Sequence, residues 1–270
     1  MSFFRAFLAA LAAAIGSSEP PILPSTVPAN GAQLRADVDL AQRIIDDPSS
    51  PTTAVASAGQ FEQLTTITLA REPPAGRRAT LAGLTRPAAS ALRADLDAAV
   101  ALSRLVTPRK SLPPWRIVAP PAPDTLLAYF KAAGSRFEVP WQYLASIEFV
   151  ETKFGRVHGL STAGAEGPMQ FLPATWARYG TGDVHSPRDA IFGAARFLVA
   201  AGARSDIAAA LYSYNPSTDY VRAISDYAGQ MRADPRVYYG YYWWQVIYAK
   251  QGGPIILPVG YPGVRPVALP

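Results

Sequence analysis

Two glutamates three residues apart, Glu148 and Glu151, are the residues in this chain whose type and spacing first point to chemistry. On a helix, that separation puts them near one face. A carboxyl group near a helix end, beside apolar side chains, loses solvation in its charged form. Its pKa rises, and it can then donate a proton near neutral pH. Spacing alone favours a plainer arrangement, in which both glutamates face solvent. The residues that follow shift the balance. STAGAEGPMQFLP is a Gly/Ala-dense loop carrying Ser161 and Gln170 among small residues. Gly164 and Gly167 permit positive φ and a close approach of backbone to a ligand. A helix-borne acid, a glycine-rich loop and a neighbouring amide side chain could together line a groove for a sugar chain.

The elements that must position these residues are helical. Pro140 suits the start of a helix, where a missing N–H costs nothing. Apolar residues then recur at Trp141, Leu144, Ala145, Ile147 and Val150, close to a 3.6-residue period. Gly155 is placed to end this helix in the left-handed conformation. After the loop, Pro173 opens a second helix. Upstream, Asp124 is a candidate N-cap for TLLAYFKAAG, which Gly134 would close. Downstream, a helix is expected from Ser186 as cap and Pro187 as first residue to Gly202. Ser205 or Asp206 caps the next, which ends at Tyr214-Asn215-Pro216, and Thr218 to Met231 forms another.

The first half of the chain carries no recognisable chemistry. Met1 to Gly16 (MSFFRAFLAALAAAIG) has the pattern of a signal peptide, too short to span a bilayer comfortably. No Cys follows to take a lipid, so no stable membrane anchor is expected. Residues 17–30 read as a Pro/Ser linker. Residues 31–106 read as a small helical N-terminal region, although TTITLA within it has the β-branched content of a strand. Residues 107–123 are dense in proline around a WRIV core and form the best candidate domain boundary, with Trp115 as a packing anchor. Residues 124–250 would form the functional domain, and 251–270 a Pro/Gly-rich tail lying over the surface. The aromatic run from Tyr238 to Tyr248 reads either as a sugar-stacking surface or as a lid that packs the C-terminus.

Composition narrows the classes. The chain has 270 residues, 49% of them hydrophobic and 17% charged, enough for a sizeable core. The absence of Cys excludes disulfides, thiolate catalysis and Cys–metal sites. Two histidines argue against a His-rich metal centre. A net charge of +5 suits anionic surroundings, yet no Lys/Arg cluster of the nucleic-acid-binding kind is present.

Four motifs in order, ETKFGR, GAEGPMQFLPATW, DVHSPRDAIFGAARFL and ALYSYNPSTDYV, resemble the lytic transglycosylases of bacterial cell walls. The resemblance covers residues 124 to 231 and is to the soluble lytic transglycosylase family. VETKFGRV and MQFLPATW are similar to the membrane-bound lytic transglycosylase B type. It implies a mainly α architecture with a lysozyme-like catalytic domain. It also implies a secreted monomer of the periplasm or cell wall that acts on peptidoglycan glycan strands and requires no cofactor or metal.

The resemblance also implies roles. Ordinary glycosidases use two carboxylates, about 5–5.5 Å apart for retention and about 6.5–9.5 Å for inversion. Here Glu151 alone matches the family's catalytic position. Glu166 occupies a variable slot of the loop, and Glu148 would orient the helix or meet solvent. Ser161 and Gln170 match substrate-contacting positions, with Met169 lining the groove. Tyr214 matches the hydroxyl that hydrogen-bonds the catalytic carboxylate, and Asn215 fixes that corner. Thr152, Pro168 and Pro216-Ser217 depart from the soluble pattern, as does one extra residue between Glu151 and Ser161. Two alternatives remain open: a hydrolytic muramidase in which Glu166 or another carboxylate activates water, and a non-catalytic wall-binding or scaffold protein.

Overall fold

The computed structural model describes residues 23–269. The expected signal peptide at 1–16 and the start of the 17–30 linker lie outside the described residues. The chain is mainly helical. In order come α1 (Gly31–Asp46), α2 (Thr52–Ala70), α3 (Pro74–Ala82) and α4 (Arg86–Leu105). The short strand β1 (Arg116–Ile117) precedes α5 (Pro123–Phe137), α6 (Trp141–Thr152) and β2 (Val157–His158). Then follow α7 (Pro173–Tyr179), α8 (Pro187–Ala200), α9 (Ile207–Tyr214), α10 (Thr218–Ala233) and α11 (Val237–Tyr242). Three strands, β3 (Val246–Tyr248), β4 (Ile255–Leu257) and β5 (Val267–Ala268), close the chain.

Local signals set most helix starts. The Asn30 side chain accepts from the N–H groups of Ala32 and Gln33, satisfying two orphan donors of α1. Ser186, Asp206 and Ser217 each accept one such N–H, from Asp189, Ala209 and Tyr220, at the starts of α8, α9 and α10. Some expected ends move. Asp124 sits in the first turn of α5, which starts at Pro123, and Ala122 takes the cap position. Gly134 does not close that helix, which runs three residues further to Phe137. Glu138 supplies the left-handed cap at φ 58°, and a Cβ on Gly134 would lie only 2.8 Å from the Val139 carbonyl oxygen. TTITLA is helical, with Thr65, Thr66 and Leu69 buried in α2.

Helix α6 is the hub. Every residue from Tyr143 to Phe149 is buried. Helices α5, α8, α10 and α11 all pack on it. The 3.6-residue period therefore understates its packing: a helix covered on every side is a core helix, not an amphipathic one. Residues 31–106 join this body closely. Helix α4 makes the most extensive helix–helix contact of the described residues, against α10. Its Ala98 and Ala101 share the α6 core, while Leu92 and Leu96 belong to a second core with Ile44, Ile45 and Phe61. Where α2 meets α11, a Cβ on Gly59 would stand 2.3 Å from the Gly240 carbonyl oxygen. Nearby, the Gln63 amide donates to the Gln245 carbonyl at 2.8 Å and accepts from the Gln245 N–H at 2.7 Å, across 182 residues of chain.

The proline-dense connector is fastened along its length. Prolines lack an N–H, so the carbonyls around them find few backbone partners. Tyrosine hydroxyls supply the donors: Tyr248 to Ser111, Tyr261 to Pro113, Tyr242 to Pro121 and Tyr238 to Pro123, at 2.7–3.0 Å. The tail does more than lie over the surface. β3, β4 and β5 form an antiparallel sheet, and Leu257 and Tyr261 are buried with Ile117 and Val246 in a third core. The aromatic run follows its packing reading, with Tyr238, Tyr241, Tyr242 and Trp244 all buried.

Candidate active site

Helix α6 does not end at Gly155. Lys153 takes the left-handed cap at φ 54°, Phe154 follows at φ 61° and Gly155 at φ 80°. The Lys153 N–H returns to Phe149 O, the five-to-one bond of a left-handed helix cap, and the Phe154 N–H to Glu148 O, which gives these two carbonyls partners as the chain turns away. Two consecutive non-glycine residues in this region store strain of about 1–3 kcal/mol each. Burial holds them there. Phe154 is fully buried against Phe149, Tyr238 and Phe130, with ring centroids 5.3–6.3 Å apart. The Thr152 hydroxyl donates to Pro168 O at 2.6 Å and accepts from the Gly155 N–H at 2.9 Å, tying the turn to the glycine-rich loop.

This turn sets Glu151 at the mouth of a cleft of about 690 Å³. The side chain is half-buried, and its Oε1 accepts from the Tyr220 hydroxyl at 2.8 Å. Burial pushes the carboxyl up to about 7, against the opposing pull of the Tyr220 hydrogen bond and the Lys153 cation. Lys153 is itself brought down to about 8 by burial and by Arg156. Its Nζ donates to Phe149 O at 2.9 Å and lies 4.2 Å from the Phe149 ring centre. Glu151 is the one carboxylate lining this cleft among the described residues.

The cleft walls come from segments far apart in sequence. Leu105, Val106 and Leu112 belong to the end of α4 and the connector; all three are exposed, as is Leu160 on the loop side. Trp115 rests on Gly159, donates its indole N–H to Leu160 O at 3.2 Å and meets Tyr248 edge-to-face at 5.7 Å. The connector tryptophan is thus a packing anchor whose ring also borders the Glu151 cleft.

The residues expected around Glu151 divide. Ser161 lines the cleft, and its hydroxyl oxygen accepts from the Ala163 and Ala165 N–H groups, which shapes the loop. Met169 does not line a groove. It is fully buried, and its role at the site is its backbone carbonyl, which accepts from the Tyr214 hydroxyl at 2.6 Å. That contact corrects the expectation for Tyr214, because the hydroxyl on Glu151 belongs to Tyr220. Tyr214 remains close enough for Glu151 and Glu148 to push its pKa higher, beyond the larger effect of burial. Gln170 adopts φ 50° and donates its amide to Gly167 O at 3.0 Å; it turns onto the loop and is not among the residues lining the cleft. Asn215 caps the end of α9 through its backbone N–H, bonded to Leu211 O. The Glu148 carboxyl neither faces solvent nor makes a hydrogen bond. It is fully buried, with both oxygens unpartnered, and burial pushes its carboxyl up to about 8. Glu166 lies outside this cleft, beside His185 in a neighbouring cavity.

Tyr220, Lys153 and Trp115 are the contributors that sequence reasoning missed or underweighted. Tyr220 carried a faint signal: it stands three residues after the Ser217 cap, in the first turn of the helix that follows Tyr214-Asn215. No family model, curated protein or solved structure matches the chain.

Proposed function

We propose that the chain is a peptidoglycan lytic transglycosylase with a lysozyme-like catalytic unit, in which Glu151 is the sole acid and base. The observation that carries the reading is a single half-buried carboxyl, held near neutrality, at the mouth of a cleft whose other lining residues include no carboxylate. The four-motif resemblance supports the substrate, and the net charge of +5 suits an anionic wall.

One acid suffices if the nucleophile belongs to the substrate. Protonated Glu151 gives its proton to the glycosidic oxygen between MurNAc and GlcNAc as the C1–O bond breaks. The resulting carboxylate takes the proton from the C6 hydroxyl of the same MurNAc. O6 then bonds to C1 and closes a 1,6-anhydro ring, so no water is consumed. An intramolecular attack of this kind has a high effective molarity. Tyr220 orients the carboxyl and lowers its basicity enough for the proton to leave. The hydrolytic alternative loses its named second carboxylate, since Glu166 borders a different cavity. The substrate places the protein's work at the cell wall.

Mass analysis of fragments released from purified sacculi tests the reading. Anhydro ends are expected, and reducing ends would overturn the transglycosylase chemistry. Glu151→Gln should lower release by at least about 100-fold, the usual size of a lost general acid–base. Undiminished lysis by that variant would remove Glu151 from its role.

A further inference from the structure

A second cavity, of about 840 Å³, lies on the other side of the Val157–Leu160 ridge from the Glu151 cleft, and both spaces share those two residues as walls. Both histidines of the chain line it, together with Arg116. The antiparallel pairing of β1 with β2 sets Arg116 directly opposite His158, which brings their side chains to one face. The basic groups already feel one another: after burial, Arg116 and then His185 hold the His158 pKa below its ordinary value. On the far side, His185 Nε2 lies 3.4 Å from Glu166 Oε2. The remaining walls are small and apolar, from prolines, glycines and Val118. Basic groups cluster around Arg116 and His158, one carboxylate stands apart from them, and apolar surface lies between. That layout fits a short peptide with free carboxylates and an amine. A polyphosphate would meet Glu166 as a repulsive neighbour.

We propose that this cavity binds the acidic stem peptide of the glycan strand, with Arg116, His158 and His185 facing its carboxylates and Glu166 its amine. This deepens the transglycosylase reading and rests on it for the identity of the peptide. A strand seated in the Glu151 cleft carries stem peptides on its MurNAc lactyl groups, and the ridge at Leu160 is the path by which one reaches the second cavity.

The two histidines provide a built-in reporter, since all histidine ring signals of a tag-free chain come from this cavity. A synthetic Ala–Glu–Lys peptide with free carboxylates, titrated into the protein, should shift both histidine ring signals in NMR spectra with saturation. The same peptide with its carboxylates amidated should shift them at least about tenfold more weakly. Arg116→Ser should weaken the acidic peptide about tenfold while signal dispersion elsewhere stays native; loss of an ion pair of this kind is worth roughly 1.4 kcal/mol. Histidine signals that do not move, equal binding of both peptides, or a response to inorganic phosphate but not to peptide would each overturn the proposal. The titration is repeated on Glu151→Gln, where the same shifts are expected because no turnover is involved. Peptide binding without anhydro products from sacculi would sink the transglycosylase reading and keep the peptide site; anhydro products without peptide binding would do the reverse.

Discussion

At the scale of single residues, the proposed chemistry depends on a carboxyl that must lose and regain one proton. With Glu151 held near 7 by burial, the acid form falls away as pH rises through that value, and so should the rate. The Tyr220 hydroxyl favours the charged carboxylate. Tyr220→Phe should therefore raise the carboxyl's pKa further and move the falling limb of the pH–rate profile to higher pH, with a lower maximal rate from a misoriented acid. A limb that moved to lower pH would contradict the assignment. Glu148 makes a separate prediction about stability. Its carboxyl goes from an ordinary 4.5 to about 8 in the folded protein. Between those values the folded state keeps a proton that the unfolded state has lost. Stability present below the lower value should therefore decline as pH rises, by on the order of 1 kcal/mol per pH unit. Glu148→Gln should flatten that decline, read as melting temperature between pH 5 and 8; an unchanged slope would place the titration elsewhere.

At the scale of elements, what the residues announce depends on how local the cause is. Ser186, Asp206 and Gly202 each act within one turn, and their helix boundaries are legible from the chain alone. Glu151 drew attention because its neighbours form a motif, and the structure sets it on a cleft. The burial of Glu148 was not legible, since it follows from four other helices closing around α6. Nor was the contact of Tyr220 with a carboxylate 69 residues away. The closing sheet escaped notice for a different reason: strands of two or three residues are too short to show an alternating pattern. That sheet matters for the cleft, because Tyr261 fixes the connector beside Trp115. Tyr261→Phe leaves the buried Pro113 carbonyl without its donor. It should cost about 1–2 kcal/mol in denaturant unfolding and raise KM more than it lowers kcat. A loss confined to kcat would show that the connector wall does not bind substrate.

At the scale of the whole molecule, the helices of residues 31–106 are structural partners of the site. Helix α4 packs along α10, which carries Tyr220 in its first turn. Helix α2 docks on α11 by a glycine-to-glycine contact with no room for a methyl group. Gly59→Val should push these helices apart and destabilise the protein by about 2–3 kcal/mol, read as a lowered melting temperature. A neutral result would mean that the two helices are free to separate.

The Gln63–Gln245 clasp has a consequence for the order in which the protein is made. Gln63 leaves the ribosome 182 residues ahead of Gln245, and contacts of that separation form late. The buried side chains of the second core all lie within residues 23–96, so that core can gather early, but Tyr239 and Trp243, which pack against it, emerge much later. A nascent chain can therefore assemble its first helices early, while their docking onto α11 waits for the residues around Gly240 and Gln245.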